Sequence, residues 1–506
     1  MLHLDAQTRE RHLGAMAERV VDVLIIGGGI TGAGVALDAA SRGLSVALVE
    51  REDFAAGTSG RSSRLIHGGA RYLRHGEVGL VYEALRERAR LFRLAPHLVR
   101  PLGFLIPIRS RSNRFYMGFG LNLYDAMAAG RNIRRHRWAH PDEVVRLAPS
   151  LNRRSGGYIS WDCRTDDARL TLEIVRQAAA RGAVVANHVQ VQGLTGEGSV
   201  TGAQVEDRMS GSTFHVRARV TVNATGAWAD RVNGLAAPPS RRLRPSKGVH
   251  VVLERPRLPI RCAVMVPSVV RDGSLVFAIP WGPRVYAGTT DTAYHGDLEA
   301  PTVDPQDVEV VLGSLDRAFG GELGPADVRA SWAGIRPLLD TGRGSTRDLS
   351  RRHVVYEEPP GLINVTGGKL TTYRAMAEEV VDHLCRHLGR GGRCRTAAIP
   401  LGLTRPLGAE LERATAAAGR LGLDPEAGAR LVARYGDDWE EALTLVREDP
   451  SLGEEVLPGL PVLRVELHLA RIREMALTEE DVLERRTRLA TMDASAAAGL
   501  AGSVLT

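Results

Sequence analysis

From Val21 the chain reads VDVLIIGGGITGAGVALDAASRGLSVALVE: a short apolar run, a glycine turn, an Ala-rich stretch at helical spacing and a second apolar run. That pattern predicts strand, turn, helix and strand, a βαβ unit. Between about Thr58 and Arg131 the chain becomes rich in Gly, Arg and Tyr, and segments such as RARVTVNATGAW and GSLVFAIPW then give short β-type runs, so strands are expected to dominate the middle. After about Ile399 apolar positions recur at helical spacing in PEAGARLVARYGDDWEEALTLV and VELHLARIREMALTEEDVLERRTRLA, with Pro and Gly at the breaks. This predicts a separate C-terminal helical domain of about a hundred residues. No internal repeat is visible, and the small-residue tail ASAAAGLAGSVLT is expected to fray.

With 506 residues and 44% hydrophobic content the chain can bury a large core, and at roughly 100–200 residues per domain two or three domains are expected. A formal charge of +7 is too modest to announce a nucleic-acid partner, but it suits an anionic substrate or lipid surface. Cys163, Cys262, Cys385 and Cys394 lack disulfide-framework or metal-ligand spacing, so no metal is expected and the compartment reads as reducing and cytoplasmic. The first twenty residues mix charges with isolated apolar positions, which argues against an export signal. No run approaches the ~20 apolar residues of a membrane span, so any membrane contact is expected to be peripheral.

Gly27, Gly29 and Gly32 form GxGxxG at the strand-to-helix turn, where absent side chains allow the tight bend, a close pyrophosphate approach and helix packing. The helix N-terminus then faces the phosphates. Glu50 ends the next strand, 18 residues beyond Gly32, where a ribose diol can donate to its carboxylate. Together these predict a dinucleotide site without choosing between NAD and FAD, since both present an ADP half. Two further apolar runs end in small residues, at Ala224-Thr225-Gly226 and at Gly367-Gly368.

Between Phe104 and Trp138, Arg109, Arg111, Arg114, Arg131, Arg134, Arg135 and Arg137 interleave with Phe115, Tyr116, Phe119 and Tyr124. Such interleaving can seat a protein on anionic lipid, or it can be a solvated basic face over core aromatics. His67 and Arg71, in LIHGGARY, combine a group that can accept a proton near neutrality with flanking glycines that let backbone approach a ligand. His250, in KGVH, is a second such histidine, and the choice between the two stays open.

The stretch TSGRSSRLIHGGARYLRHGE resembles the signature of FAD-dependent, bacterial respiratory-type glycerol-3-phosphate dehydrogenases, a branch of the D-amino-acid-oxidase-like flavoproteins. The match continues through VNATGAW, KGVH, FAIPW, AGTTDT, WAGIRPLL, TRD, GGKLTTYR and EMALTEEDVLERRTRLA, nearly the whole chain. It implies an α/β fold: an FAD-binding Rossmann-like domain of the glutathione-reductase type, an inserted mostly β substrate-binding cap and a C-terminal all-α domain. The implied division is 1–398, with cap segments at about 72–160 and 240–345, followed by 399–506. Non-covalent FAD would touch Gly27, Gly29, Gly32, Glu50, Ser59, Ser62, Ser63, Thr225, Gly226, Gly368, Lys369, Leu370 and Thr371. Arg64 stands where that family often has Lys, and Thr31 where Asn is common.

The resemblance also implies a reaction: oxidation of sn-glycerol 3-phosphate to dihydroxyacetone phosphate by hydride transfer to flavin N5, with electrons passed to a membrane quinone. A phosphomonoester carries about two negative charges and needs charge-assisted donors, chemistry that Arg336, Arg347 and Lys369 supply in the implied flavin-facing segments. Arg71, His67 and His250 would serve the C2 hydroxyl, with His67 the first candidate base and Arg71 also a substrate contact. The protein would sit peripherally on the inner face of the cytoplasmic membrane, and its oligomeric state, a homodimer among the options, stays open. A related oxidase would return the electrons to oxygen as peroxide. That class carries an insertion in the cap, and no such block is visible between Pro337 and Gly367.

Overall fold

A computed structural model describes residues 3–69, 77–108, 110–152, 156–236, 243–270, 273–340 and 352–505. Arg71, Arg109 and Arg347 lie outside the described residues. The chain builds two sheets. The first is organised around Val20–Ile26, flanked in parallel by Val46–Val49 and Thr213–Asn223, with Val184–Ala186 and Leu362–Thr366 parallel beyond them. Six of the seven residues of Val20–Ile26 are buried, as expected for a parallel strand covered on both faces. Val23 and Ile25 pack under the helices Ile30–Ser41, Asp167–Ala179 and Tyr373–Leu388. Leu24 and Ile26 point the other way, toward Leu13 and Met16 of the helix Ala6–Glu18 and Val205 of an antiparallel extension. The period-2 alternation thus feeds two cores from one strand.

Among the described residues the second sheet has ten strands, and Leu243–Glu254 pairs antiparallel with Arg284–Gly288, Thr292–Ala293 and Val328–Leu339. Arg100–Pro107 joins Gly157–Arg164, which in turn pairs with Leu65–Ile66, a strand that lies before the first expected cap segment. The two sheets therefore meet at the loops that follow the strand Val46–Val49.

Residues 407–498 fold as helices around two small cores, one containing Leu431, Trp439 and Leu469 and the other Val462, Val482 and Val504. Here the tail departs from expectation. Asp493 caps a short helix, Ala494–Ala498, by accepting from Ala496 N–H at 3.1 Å, and Arg284 of the second sheet donates to the same carboxylate group at 2.9 Å. Ala497 and Val504 are buried and Leu500 packs beside them, so the tail is held by these apolar residues while most of its small residues stay exposed. Among the described residues no helix is long and apolar enough to cross a membrane, and no His/Cys/Asp/Glu cluster could hold a metal. All four cysteines are free thiols.

Candidate functional site

The carboxyl ends of the parallel strands carry the nucleotide end of the site. Gly27 sits at φ +110°, a conformation that favours glycine, and a Cβ on Gly32 would lie 1.9 Å from the Gly27 carbonyl oxygen. The turn can therefore exist only without these side chains. Gly29 precedes the helix Ile30–Ser41, whose Ile30 N–H donates to Ser59 Oγ at 2.9 Å, so Ser59 stands at the helix N-terminus where an anion is favoured. Gly28 N–H donates to Glu50 at 2.7 Å and Glu52 N–H donates to its other oxygen at 2.9 Å. Burial pushes the Glu50 carboxyl up, against these two donors, which favour the ionised form. A carboxylate has about four lone-pair sites, so acceptor capacity is left for a ribose diol. Asn223 accepts from Thr225 N–H and Oγ at 3.2 and 2.6 Å, which fixes the Thr225-Gly226 turn beside Gly27.

The cleft continues into a cavity of about 870 Å³ between the two sheets, lined by Ser62, Ser63, His67, His250, Arg336, Lys369, Leu370 and Thr371 among others. Most of the described candidates for the substrate end thus share one chamber. Gly367 and Gly368 both have positive φ, and a Cβ on Gly368 would meet Met376 Sδ at 2.4 Å, so this turn lies tight on the following helix and places Lys369 in the chamber wall. His67 N–H donates to Thr371 Oγ at 3.2 Å, joining the two candidate loops. Arg336 comes from the strand Val328–Leu339, and its guanidinium donates to Thr289 Oγ at 3.1 Å and the Thr290 carbonyl at 3.2 Å, with Asp291 at 3.6 Å. Gly248 makes room for it, since a Cβ there would lie 2.3 Å from Arg336 Nη2.

The two histidines occupy different surroundings. His250 is buried, stacks on Trp332 at 4.8 Å, and pairs through Nε2 with Ser63 Oγ at 2.9 Å. Burial, reinforced by the Arg336 and Arg64 guanidinium groups, pushes its imidazole down to about 3, so it is neutral at pH 7 and a weak base. His67 is half-buried and opens on the cavity.

Several residues of the site carried no local signal. Arg64 is buried with its guanidinium 4.1 Å from the Trp281 ring and 4.7 Å from that of Trp332. A planar cation stacks there as an ammonium would not, which accounts for Arg at this position. Asp167 accepts from Ser62 N–H at 2.9 Å and Ser62 Oγ at 2.7 Å. Tyr124 Oη accepts from Gly68 N–H at 3.1 Å and occupies the space a Cβ on Gly68 would need. Asp166, the neighbour of Asp167, is the N-cap of the helix Asp167–Ala179.

Residues 22–383 match the family model of FAD-dependent oxidoreductases, and residues 394–506 match the C-terminal domain of alpha-glycerophosphate oxidase. Glycerol-3-phosphate dehydrogenase 2 of Mycobacterium tuberculosis is 40% identical over 92% of this chain and 81% of its own length. The aerobic glycerol-3-phosphate dehydrogenase of Staphylococcus epidermidis is 35% identical over 92% of this chain and 86% of its own. The crystal structure of the glycerol-3-phosphate dehydrogenase from Bacillus halodurans complexed with FAD superposes with a TM-score of 0.82, at 34% identity, covering 99% of this chain and 92% of that one. This chain belongs to the family of FAD-dependent glycerol-3-phosphate dehydrogenases and oxidases. The expected α/β flavoprotein fold with a helical C-terminal region is the fold observed, and the cofactor is FAD. The residues present fit that group: a side-chain-free turn at a helix N-terminus, the Glu50 acceptor at one end and a chamber of adequate size at the other.

The helix Arg111–Met127 flanks the mouth of the chamber. Phe115, Tyr116, Phe119 and Leu123 on it are exposed, and only Tyr124 of the aromatics in this helix is buried. Tyr116, Phe119 and Leu123 line the chamber as well. Two of the basic residues of this stretch stack on other rings, Arg114 over Trp138 at 3.9 Å and Arg134 over Trp161 at 4.6 Å.

Proposed function

We propose that the protein oxidises sn-glycerol 3-phosphate to dihydroxyacetone phosphate and passes the electrons to a membrane quinone. The observation that carries this reading is the single chamber whose wall holds Lys369, Arg336 and His67 at the far end of the nucleotide cleft. Lys369 and Arg336 hold the phosphate, with Arg347 assigned to the same anion and Arg71 to the C2 hydroxyl by their motifs. Arg336 is restrained by Thr289, Thr290 and Asp291, so it meets the anion already oriented, with little side-chain entropy left to lose. His67 takes the C2 hydroxyl proton. His250 holds Ser63 and carries no charge. Bound FAD supplies the acceptor for the hydride, and we take it as non-covalent, with no cysteine among the described residues that line the chamber.

The exposed Phe115, Tyr116, Phe119 and Leu123, with Arg111 and Arg114 on the same helix, support peripheral seating on an anionic lipid face. Because part of that stripe also lines the chamber, an apolar quinone can enter from lipid without crossing water. The test is anaerobic mixing of purified protein with glycerol 3-phosphate. The flavin band bleaches, glycerol fails to bleach it, and a quinone analogue restores it. Equal bleaching by glycerol overturns the phosphate assignment, and rapid stoichiometric peroxide on admitting air replaces the quinone with oxygen.

A further inference from the structure

The segment 50–64 runs the length of the FAD cleft, from Glu50 at the ribose end past Ser59 at the helix N-terminus to Ser62 and Ser63 in the chamber wall. The C-terminal helical domain grips this segment at two points. Asp53, fully buried, accepts from Arg485 Nε at 3.0 Å and from both terminal nitrogens of Arg486 at 2.5 and 2.9 Å. Its neighbours close on the glycine turn: Ala55 N–H donates to the Gly28 carbonyl at 3.1 Å, and a Cβ on Gly28 would lie 2.8 Å from the Phe54 ring. Farther along, Arg488 donates to the Gly60 carbonyl at 3.1 Å and to Asp166 at 2.8 Å, and also pairs with Asp167. Asp167 in turn accepts from Ser62 through N–H and Oγ.

We infer that Arg488, together with Arg485 and Arg486, positions the cofactor loop, so that the C-terminal domain sets FAD affinity and the flavin's surroundings from behind. The local backbone is shaped for this. Successive residues of an α-helix diverge by about 100° and cannot all face one neighbour. Here a π-turn spans Asp481–Arg486, closed by Thr487 N–H donating to the Val482 carbonyl at 2.8 Å, and Arg488 takes a left-handed φ of +66°. Both features are uncommon for side-chain-bearing residues and persist where surroundings over-determine them. Their result is three arginines of one short stretch, each at most 4% exposed, on the same loop. Buried cations are tolerated only with carboxylate and carbonyl partners in good geometry, and each of these has them.

The inference rests on the cofactor and not on the proposed substrate, and its readouts contain no substrate. In the full-length protein, Arg488→Ala is expected to raise the FAD dissociation constant roughly 2–30-fold, the range of coupling along contiguous networks. FAD rebinding to the apoprotein, followed by flavin fluorescence, measures it, and the visible flavin band of the holoprotein should shift as well. Arg488→Lys should recover part of both effects, and Ser62→Ala should add little in the Arg488→Ala background because the two lie on one path. Glu410→Gln is the control. Glu410 accepts from Trp439 at 2.8 Å and Arg413 at 2.7 Å inside the helical domain, so its loss should lower the melting temperature and leave FAD affinity unchanged. Parent affinity and spectrum in Arg488→Ala overturn the inference, as does an equal loss of FAD in Glu410→Gln. Should Arg488→Ala fail to fold, a parent-like flavin band in Ser62→Ala alone overturns it.

Discussion

At the proposed nucleotide end of the cleft Gly27, Gly28, Gly29 and Gly32 come from one turn and would act by what they lack, while at the proposed substrate end His67, His250, Arg336 and Lys369 come from four separate segments and would act by what they carry. The first arrangement is specified within about thirty residues. The second exists only after two sheets have packed. Function therefore fails differently at the two ends, through backbone clash at one and through misplaced charge at the other. Gly32→Val tests the first. With a Cβ 1.9 Å from the Gly27 carbonyl, backbone must move, and the turn that meets the pyrophosphate moves with it. The purified variant should retain essentially no FAD by absorbance after desalting. Gly14→Ala, at a helical position with open space around it, should keep its full complement. A Gly32→Val protein saturated with FAD would erase the contrast.

A smaller effect is expected at the substrate end, where one side chain can be lost without disturbing the cofactor. His67→Asn should slow anaerobic flavin reduction at saturating substrate by roughly 10²–10⁴-fold, with little change in substrate affinity. FAD content should stay at the parent level. If His67→Asn reduces at the parent rate and His250→Asn is crippled, the base belongs to the strand Leu243–Glu254 and the roles of the two histidines exchange.

The same contrast decides what could be read from the sequence. The GxGxxG turn, Glu50 and the strands around them were legible because each signal is a local spacing that the fold preserves. Lys369 was reached only through motif resemblance, and His67 through that and its flanking glycines, since a lone His or Lys has no spacing to betray it. Asp53 and Asp167 were invisible because what gives them meaning lies more than three hundred residues away, in Arg486 and Arg488. An Arg-Arg pair in a polar helical stretch reads as solvated, and only the π-turn shows otherwise. The tail differs from expectation for a related reason: Ala497, Leu500 and Val504 find a partner surface in the helical region, which the composition of the tail alone does not show. Between Phe104 and Trp138 the sequence allowed either exposed or buried aromatics, and the exposed stripe on Arg111–Met127 follows from which helix face met the second sheet.

The smallest effect sharpens the comparison of the two histidines through pH. His250 is packed by Ser63, Trp332 and Tyr286, with Arg336 and Arg64 the nearby cations, and is held down to about 3 against an ordinary value of 6.5. Between those two pH values the unfolded chain binds a proton at this position and the folded chain does not. Folding therefore loses stability as pH falls from 6.5 toward 3, at about 1.4 kcal/mol per unit for this one group, and is indifferent to it above 6.5. His97, also buried and held down to about 3, adds a parallel slope, so the parent alone cannot isolate His250. His250→Gln removes one slope and keeps the other. At pH 7.5 the variant should be the less stable protein, because it loses the Trp332 stack. That deficit should shrink by about 2 kcal/mol by pH 5. Urea unfolding at a series of pH values with FAD in excess measures the difference. A deficit that stays constant on acidification would mean that the fold does not hold the imidazole down, and one that widens would mean that the fold favours protonated His250, which would return it to contention as a charged partner of the substrate.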